Sequence, residues 1–123
     1  MNPTTDTLED YFLCHLPQYL HRPLVEELEG FDCTFAYRMT DMTEAPWVLR
    51  MEDGKLTAIT QGTLQADCCF ICDSSVFLDV VSGAFAPQDF FFAKAIEIEG
   101  DLEIGLMLSM LLALFFEQYP YVP

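Results

Sequence analysis

The sequence predicts an α+β fold in which a five-stranded, largely antiparallel sheet is flanked by helices. Three observations carry this expectation. From Phe31 to Asp73 apolar residues recur at every second position over several runs, the period of strands with one buried face. An Asp53-Gly54 pair separates two of those runs as a two-residue hairpin would. Beyond Ser74 the pattern lengthens to that of helices, and the chain runs into a long apolar helical stretch.

At 123 residues the chain fits one domain, 1–123, able to withdraw roughly two-thirds of its unfolded surface from water. With 52% hydrophobic residues it has the material for a core and lacks the composition of a disordered chain.

The first 30 residues read as a helical brace, with helices at Leu8 to Leu16 and Leu24 to Leu28 set apart by Pro17 and Pro23. From Phe31 to Met39, Phe31, Cys33, Phe35, Tyr37 and Met39 alternate with polar or small residues, giving the first strand. Pro46 to Glu52 gives the second, with Trp47, Leu49 and Met51 on one face, and Lys55 to Gln61 returns antiparallel after the Asp53-Gly54 turn. Ala66 to Asp73 is the fourth, with Cys68, Phe70 and Cys72 on one face and Cys69 and Ile71 on the other. Asp73 or Ser74 can cap a helix that Gly83 ends, and Pro87 suits the first turn of a short helix from Gln88 to Phe92. Ile96 and Ile98 point inward on a short fifth strand, after which Asp101 caps the last helix and Glu103 lies near its positive end.

The last helix is apolar nearly all round. Ile104, Met107, Leu108, Leu111, Leu112, Leu114 and Phe115 form a broad face for a sheet to bury. The opposite side carries Leu102, Leu106, Met110 and Phe116 beside Gly105, Ser109 and Ala113, a ridge of small residues that admits a backbone or a slender ligand. Plain burial under loops, a bound lipid or a partner protein would each cover that second side. Phe77, Phe85, Phe90, Phe91 and Phe92 crowd the stretch before the fifth strand and fit either a core plug or the wall of a cavity.

Groups able to do chemistry do not assemble in the sequence. Cys69 and Cys72 form a CxxC, but within a strand, facing opposite ways, whereas redox pairs open a helix. A metal would need a fourth ligand from Cys14, Cys33, His15 or His21 at irregular spacing, so no metal and no cofactor is expected. Two histidines, both in the brace, leave no triad, and isolated glycines make no phosphate loop, so the chain reads as non-catalytic. A net charge of −15 repels nucleic acid and anionic headgroups. The uncharged run Ile104 to Phe116 is shorter than the ~20 residues that cross a bilayer, and the acidic start lacks a secretory signature. A cytoplasmic protein with five free thiols, no transmembrane segment and no nucleic-acid partner is expected.

The stretch "SVFLDVVSGAFAPQDFFFAKAIEIEGDLEIGLML" resembles the sterol carrier protein-2 family, with its apolar helix closed by Ser82-Gly83, a Pro-started helix, the pair Phe91-Phe92 and a strand ending Ile98-Glu99-Gly100-Asp101. Within that family, "FF" followed by "IEGDLEIGL" is most similar to bacterial accessory factors of ubiquinone biosynthesis. The pattern is moderately specific over Ala66 to Leu112, weak over Phe31 to Gln61 and absent before that. The resemblance implies an apolar tunnel, enclosed by sheet and helices, for sterols, fatty acyl chains, phospholipids or prenyl intermediates. Two departures stand out: Lys94 occupies a position where many members carry glycine, and "YPYVP" replaces the peroxisomal targeting tripeptide of some of them.

The expected function is therefore non-catalytic binding and transfer of a hydrophobic small molecule or lipid. Phe35, Tyr37, Phe77, Phe85, Phe91, Met107, Met110, Leu111 and Phe115 are the candidate lining. The alternative is an interaction or helper module that docks its last helix into a homodimer or an enzyme complex.

Overall fold

The computed structural model describes residues 3–121 apart from positions 25, 43–44, 63–64, 84–88 and 90–93. Asp53 and Gly54 adopt φ of 53° and 72°, both positive as the hairpin turn requires. On that turn β2 (Trp47–Glu52) folds back against β3 (Lys55–Gln61). Met51 pairs with Leu56 but Arg50 with Ala58, so Thr57 is an extra residue in a bulge. Gly54 also meets the brace: a Cβ there would lie 2.5 Å from the Leu28 carbonyl oxygen.

With β1 (Cys33–Met39), β4 (Cys68–Cys72) and β5 (Ile96–Gly100), the sheet has the order β3-β2-β1-β4-β5. Every pairing is antiparallel except β1 with β4, which run parallel because the β2–β3 hairpin forms the crossover between them. The sheet is thus mixed and largely antiparallel. Its register aligns Trp47, Tyr37, Phe70 and Ile98 in one row across four strands. Cys33, Phe35 and Met39 share that inner face and join one core with Phe12, Phe77, Leu108 and Phe115 from the helices.

The brace is more continuous than the two prolines suggest. Helix α1 (Pro3–Asp10) passes through a π-helical turn, Tyr11–His15, into a 3-10 turn, Leu16–Tyr19. Pro17 is accommodated because it lies in the first positions of that last turn, where a missing N–H costs nothing. The expected helix at Leu24 to Leu28 reduces to a 3-10 turn, Glu26–Leu28. Helix α2 spans Ser74–Val81. Its cap comes from neither Asp73 nor Ser74: the Asp41 carboxylate accepts from the Ser74 N–H at 2.9 Å and its hydroxyl at 2.6 Å. Those bonds, the hydroxyl's first, hold the Asp41 pKa below its ordinary value. The expected helix from Gln88 to Phe92 lies outside the described residues.

Helix α3 (Leu102–Gln118) starts as expected, with the Asp101 carboxylate accepting from the Ile104 N–H at 3.1 Å. Beyond it the Tyr121 N–H donates to the Val81 carbonyl at 2.9 Å and its hydroxyl to Asp10 at 2.6 Å, tying the chain's last described turn to α2 and the brace.

Candidate functional site

The most apolar interior of the molecule lies between α3 and the sheet row that holds Tyr37. Alternation along β1 and β4 sets Tyr37 beside Phe70, and their rings stack at 5.3 Å. Phe77 descends from α2 onto Tyr37 at 5.0 Å, edge to face. Phe12 of the brace stacks on Trp47 at 4.6 Å, which closes the far side. From above, Leu112, Phe115 and Phe116 of α3 complete the enclosure.

Three small voids thread this interior. One, of about 20 Å³, lies among Phe70, Phe77, Val80, Ile96, Ser109 and Leu112. A second, of about 10 Å³, lies towards the brace beside Leu16, Leu24, Phe35, Leu49 and Phe115. A third, of about 20 Å³, reaches the polar edge at Glu9 and Gln61. Tyr37 borders all three. Each has room for about one water molecule, so the interior is filled by its own side chains.

Among the described residues, no charged side chain borders the two inner voids. Burial, above all, pushes the Cys72 thiol up to about 12 and the Tyr37 phenol well above its ordinary value, so both stay protonated. Walls of this kind can dissolve an apolar molecule and offer it a neutral hydrogen bond. Among the described residues, no three His, Cys, Asp or Glu side chains converge as a metal site, and no helix is long and apolar enough to cross a membrane.

Of the candidate lining, Phe35, Tyr37, Phe77 and Phe115 meet in this interior. Met107 and Leu111 lie half-buried on the flank of α3, Met110 points to solvent, and Phe85 and Phe91 lie outside the described residues. The expected orientation of α3 needs correction. Its buried residues are Gly105, Leu108, Ser109, Leu112, Phe115 and Phe116, so part of the small-residue ridge faces the sheet. Gly105 explains this: Ile98 of β5 occupies the space of a Cβ, 2.5 Å away. Nor is the helix covered all round, since Leu102, Met110 and Leu114 are 50%, 59% and 41% exposed.

Phe70, Leu112, Phe116 and Ser109 border the voids although the lining inferred from sequence omits them. Phe70 was signalled by its alternation with Cys68 and Cys72, and Leu112 by its place on the broad face of α3. Phe116 and Ser109 carried no such signal, being on the side of the helix read as opposite.

The SCP-2 sterol transfer family model matches residues 16–113. The ubiquinone biosynthesis accessory factor UbiT of Escherichia coli K12 is 32% identical over 114 residues, covering 92% of this chain and 63% of that protein. Human sterol carrier protein 2 is 29% identical over 115 residues, covering 87% of this chain and 21% of that protein. The chain therefore spans less than two thirds of either relative. In structure it is similar to the sterol carrier protein domain 2 of Helicoverpa armigera, with a TM-score of 0.64 at 19% identity over 100% of this chain and 98% of the other. It is also similar to Aedes aegypti sterol carrier protein 2 in complex with palmitate, at TM-score 0.58, 15% identity and coverage of 92% and 97%.

Proposed function

The chain belongs to the SCP-2 sterol transfer family, and from that premise we propose that it is a non-catalytic carrier which takes one lipid molecule into the interior beneath α3. In this reading residues 1–123 form one lipid-binding unit, working in the cytoplasm, with the first 30 residues as its brace. The observation that carries the reading is the uncharged aromatic interior around Tyr37, bordered by two voids that share Tyr37, Leu112 and Phe116. Entry would widen those voids into a tunnel as α3 moves off the sheet. Each CH₂ of ligand withdrawn from water contributes about 0.8 kcal/mol, enough over a long chain to offset the separation of the helix from β4 and β5. The palmitate held by the Aedes aegypti relative supports a chain-like cargo. The similarity to UbiT supports a role beside ubiquinone biosynthesis, with a prenylated intermediate among the candidate cargoes.

Native mass spectrometry after detergent-free purification tests this. The expected spectrum shows protein plus one lipid, and the emptied protein takes up one equivalent of pyrene-labelled dodecanol. A protein that emerges empty and refuses the probe would end the carrier reading.

A second reading has its own observation. Leu102, Met110 and Leu114 form an exposed apolar strip on the outer side of α3, larger than a single stray side chain and suited to a protein partner. In an interaction or helper module, Met110→Glu with Leu114→Glu abolishes assembly seen by sedimentation while lipid uptake is unchanged. A wild-type protein that sediments as a monomer, alone and with its candidate enzyme complex, argues against it.

A further inference from the structure

The outward side of α3 carries a pattern of its own. At the helical repeat Glu103, Met110, Leu114 and Glu117 follow one another along it, all exposed. Leu106, Met107 and Ala113 flank Met110 and Leu114, each half-buried, so an apolar strip of about two turns is closed at either end by a carboxylate. Glu103 and Glu117 stand about 21 Å apart along the axis. Among the larger side chains, Ala113 contributes only a methyl, which lets a second helix approach closely.

Neither carboxylate is matched from within the chain. None of the 5 Lys and Arg lies on α3. Arg38 pairs with Glu99, Arg50 with Glu52 and Lys55 with Asp53, and among the described residues no ion pair reaches Glu103 or Glu117. That charge pattern discriminates among the things that could cover the strip. A second copy, packed through the same face in either direction, would set carboxylate against carboxylate at both ends. It would also bring together two chains of net charge −15. Helices that lie on a lipid surface carry Lys and Arg on their polar face, and α3 has none. A helix that presents an apolar stripe between two cations complements the strip in both apolar character and charge.

We propose that the outward side of α3 docks an amphipathic helix of a basic partner protein. The partner's apolar stripe covers Met110 and Leu114, and its Lys or Arg residues, one near each end, meet Glu103 and Glu117. The proposal rests on the interaction-module reading above and deepens it by giving the chemistry of the partner.

Two synthetic helical peptides of about 20 residues test it. Both carry a leucine stripe, and they differ only in having lysine or glutamate at two positions about 14 residues apart, the spacing that faces Glu103 and Glu117. At physiological ionic strength the field of the remaining acidic surface is screened beyond about 8 Å. There the wild type should bind the lysine peptide at least about tenfold more tightly than the glutamate peptide. Glu103→Lys with Glu117→Lys should reverse that preference, and Met110→Gln with Leu114→Gln should weaken the lysine peptide at least about tenfold. Should the charge reversal disturb the helix, Glu103→Gln with Glu117→Gln takes its place and should bring the two peptides close to parity. Equal binding of both peptides by the wild type overturns the basic partner while leaving the docking face. A preference for lysine that survives the charge reversal belongs to the chain's overall charge, and overturns the match at Glu103 and Glu117. A wild type that sediments as a dimer broken by Met110→Gln with Leu114→Gln makes a second copy the occupant. Binding to phosphatidylcholine vesicles that the same variant loses makes it a lipid surface, and either result overturns the proposal. Failure of both peptides to bind a monomeric wild type overturns the interaction reading itself, and the basic partner with it.

Discussion

The two sides of α3 are both rich in apolar residues, yet one is interior and the other surface. Leu108, Leu112 and Phe115 are 0%, 3% and 2% exposed, against 59% for Met110 and 41% for Leu114. Hydrophobicity alone did not choose between them. The side that packs is the side with Gly105 and Ser109, because only there can the helix axis come close enough to Ile98 and the strand beneath it. The difference teaches that on a uniformly greasy helix the small residues, rather than the large ones, determine which face is buried.

The largest effect that would sharpen this contrast comes from truncating one residue on each side. Phe115→Ala opens a cavity in a filled core and should cost about 3–5 kcal/mol in urea unfolding. Leu114→Ala, one position earlier but turned outward, should cost no more than about 0.5 kcal/mol. Comparable losses from the two would mean that the outer side is covered in solution.

Next in size is Gly105→Ala. On an exposed helix the change would stabilise by about 1 kcal/mol. Here the new methyl would lie 2.5 Å from Cγ2 of Ile98, and overpacking of that kind should leave a net loss of about 1–2 kcal/mol. Adding Ile98→Ala makes room for the methyl, so the double variant should lose less than the two single losses summed. Strict additivity would show that the close approach is unimportant.

Much of the architecture was legible from the sequence, and the contrast explains where legibility stopped. The Asp53-Gly54 hairpin was readable because two adjacent positive φ values demand those residues. Alternation placed Phe35, Tyr37 and Phe70 on the inner face, and Asp101 announced the start of α3. The rotation of α3 was not readable, because apolar residues on every side leave its hydrophobic pattern without a direction. The cap on α2 was hidden too, since Asp41 lies 33 residues from Ser74 and only the parallel pairing of β1 with β4 brings them together. The family resemblance was clearest from Ala66, weak from Phe31 and absent before it, while Phe12, which stacks on Trp47 and Phe77, belongs to the brace that the resemblance left out.

Lys94 is the converse of Gly105: a side chain where the backbone asks for none. Its φ is 63°, in the left-handed region that disfavours a Cβ. Lys94→Gly relieves that strain but loosens the unfolded chain, for a net gain of about 0.5–1 kcal/mol in the free energy of urea unfolding. A loss would show that the ammonium makes a contact that outweighs its strained backbone.

The smallest effect concerns a polar group packed among rings on the buried side of the brace. His15 stacks on Tyr11 at 5.4 Å and meets Tyr19 and Tyr121 at 5.5 and 5.1 Å, and its Nε2 is buried with no partner among the described residues. Burial lowers its pKa from the ordinary 6.5, outweighing a backbone hydrogen bond with Tyr119 and the nearby Asp10 carboxylate, both of which act to raise it. The folded state therefore binds the proton less readily than the unfolded chain does. Its contribution to stability is complete above about pH 6.5 and is lost as the pH falls from there through the lower folded value. In His15→Phe the rings still pack, but nothing titrates. Between about pH 7.5 and about pH 5.5 the urea midpoint of the wild type should fall further than that of His15→Phe. Parallel curves would mean that the imidazole reaches water in solution, and that the contacts joining His15 to Tyr11, Tyr19 and Tyr121 are looser than the packing beneath α3.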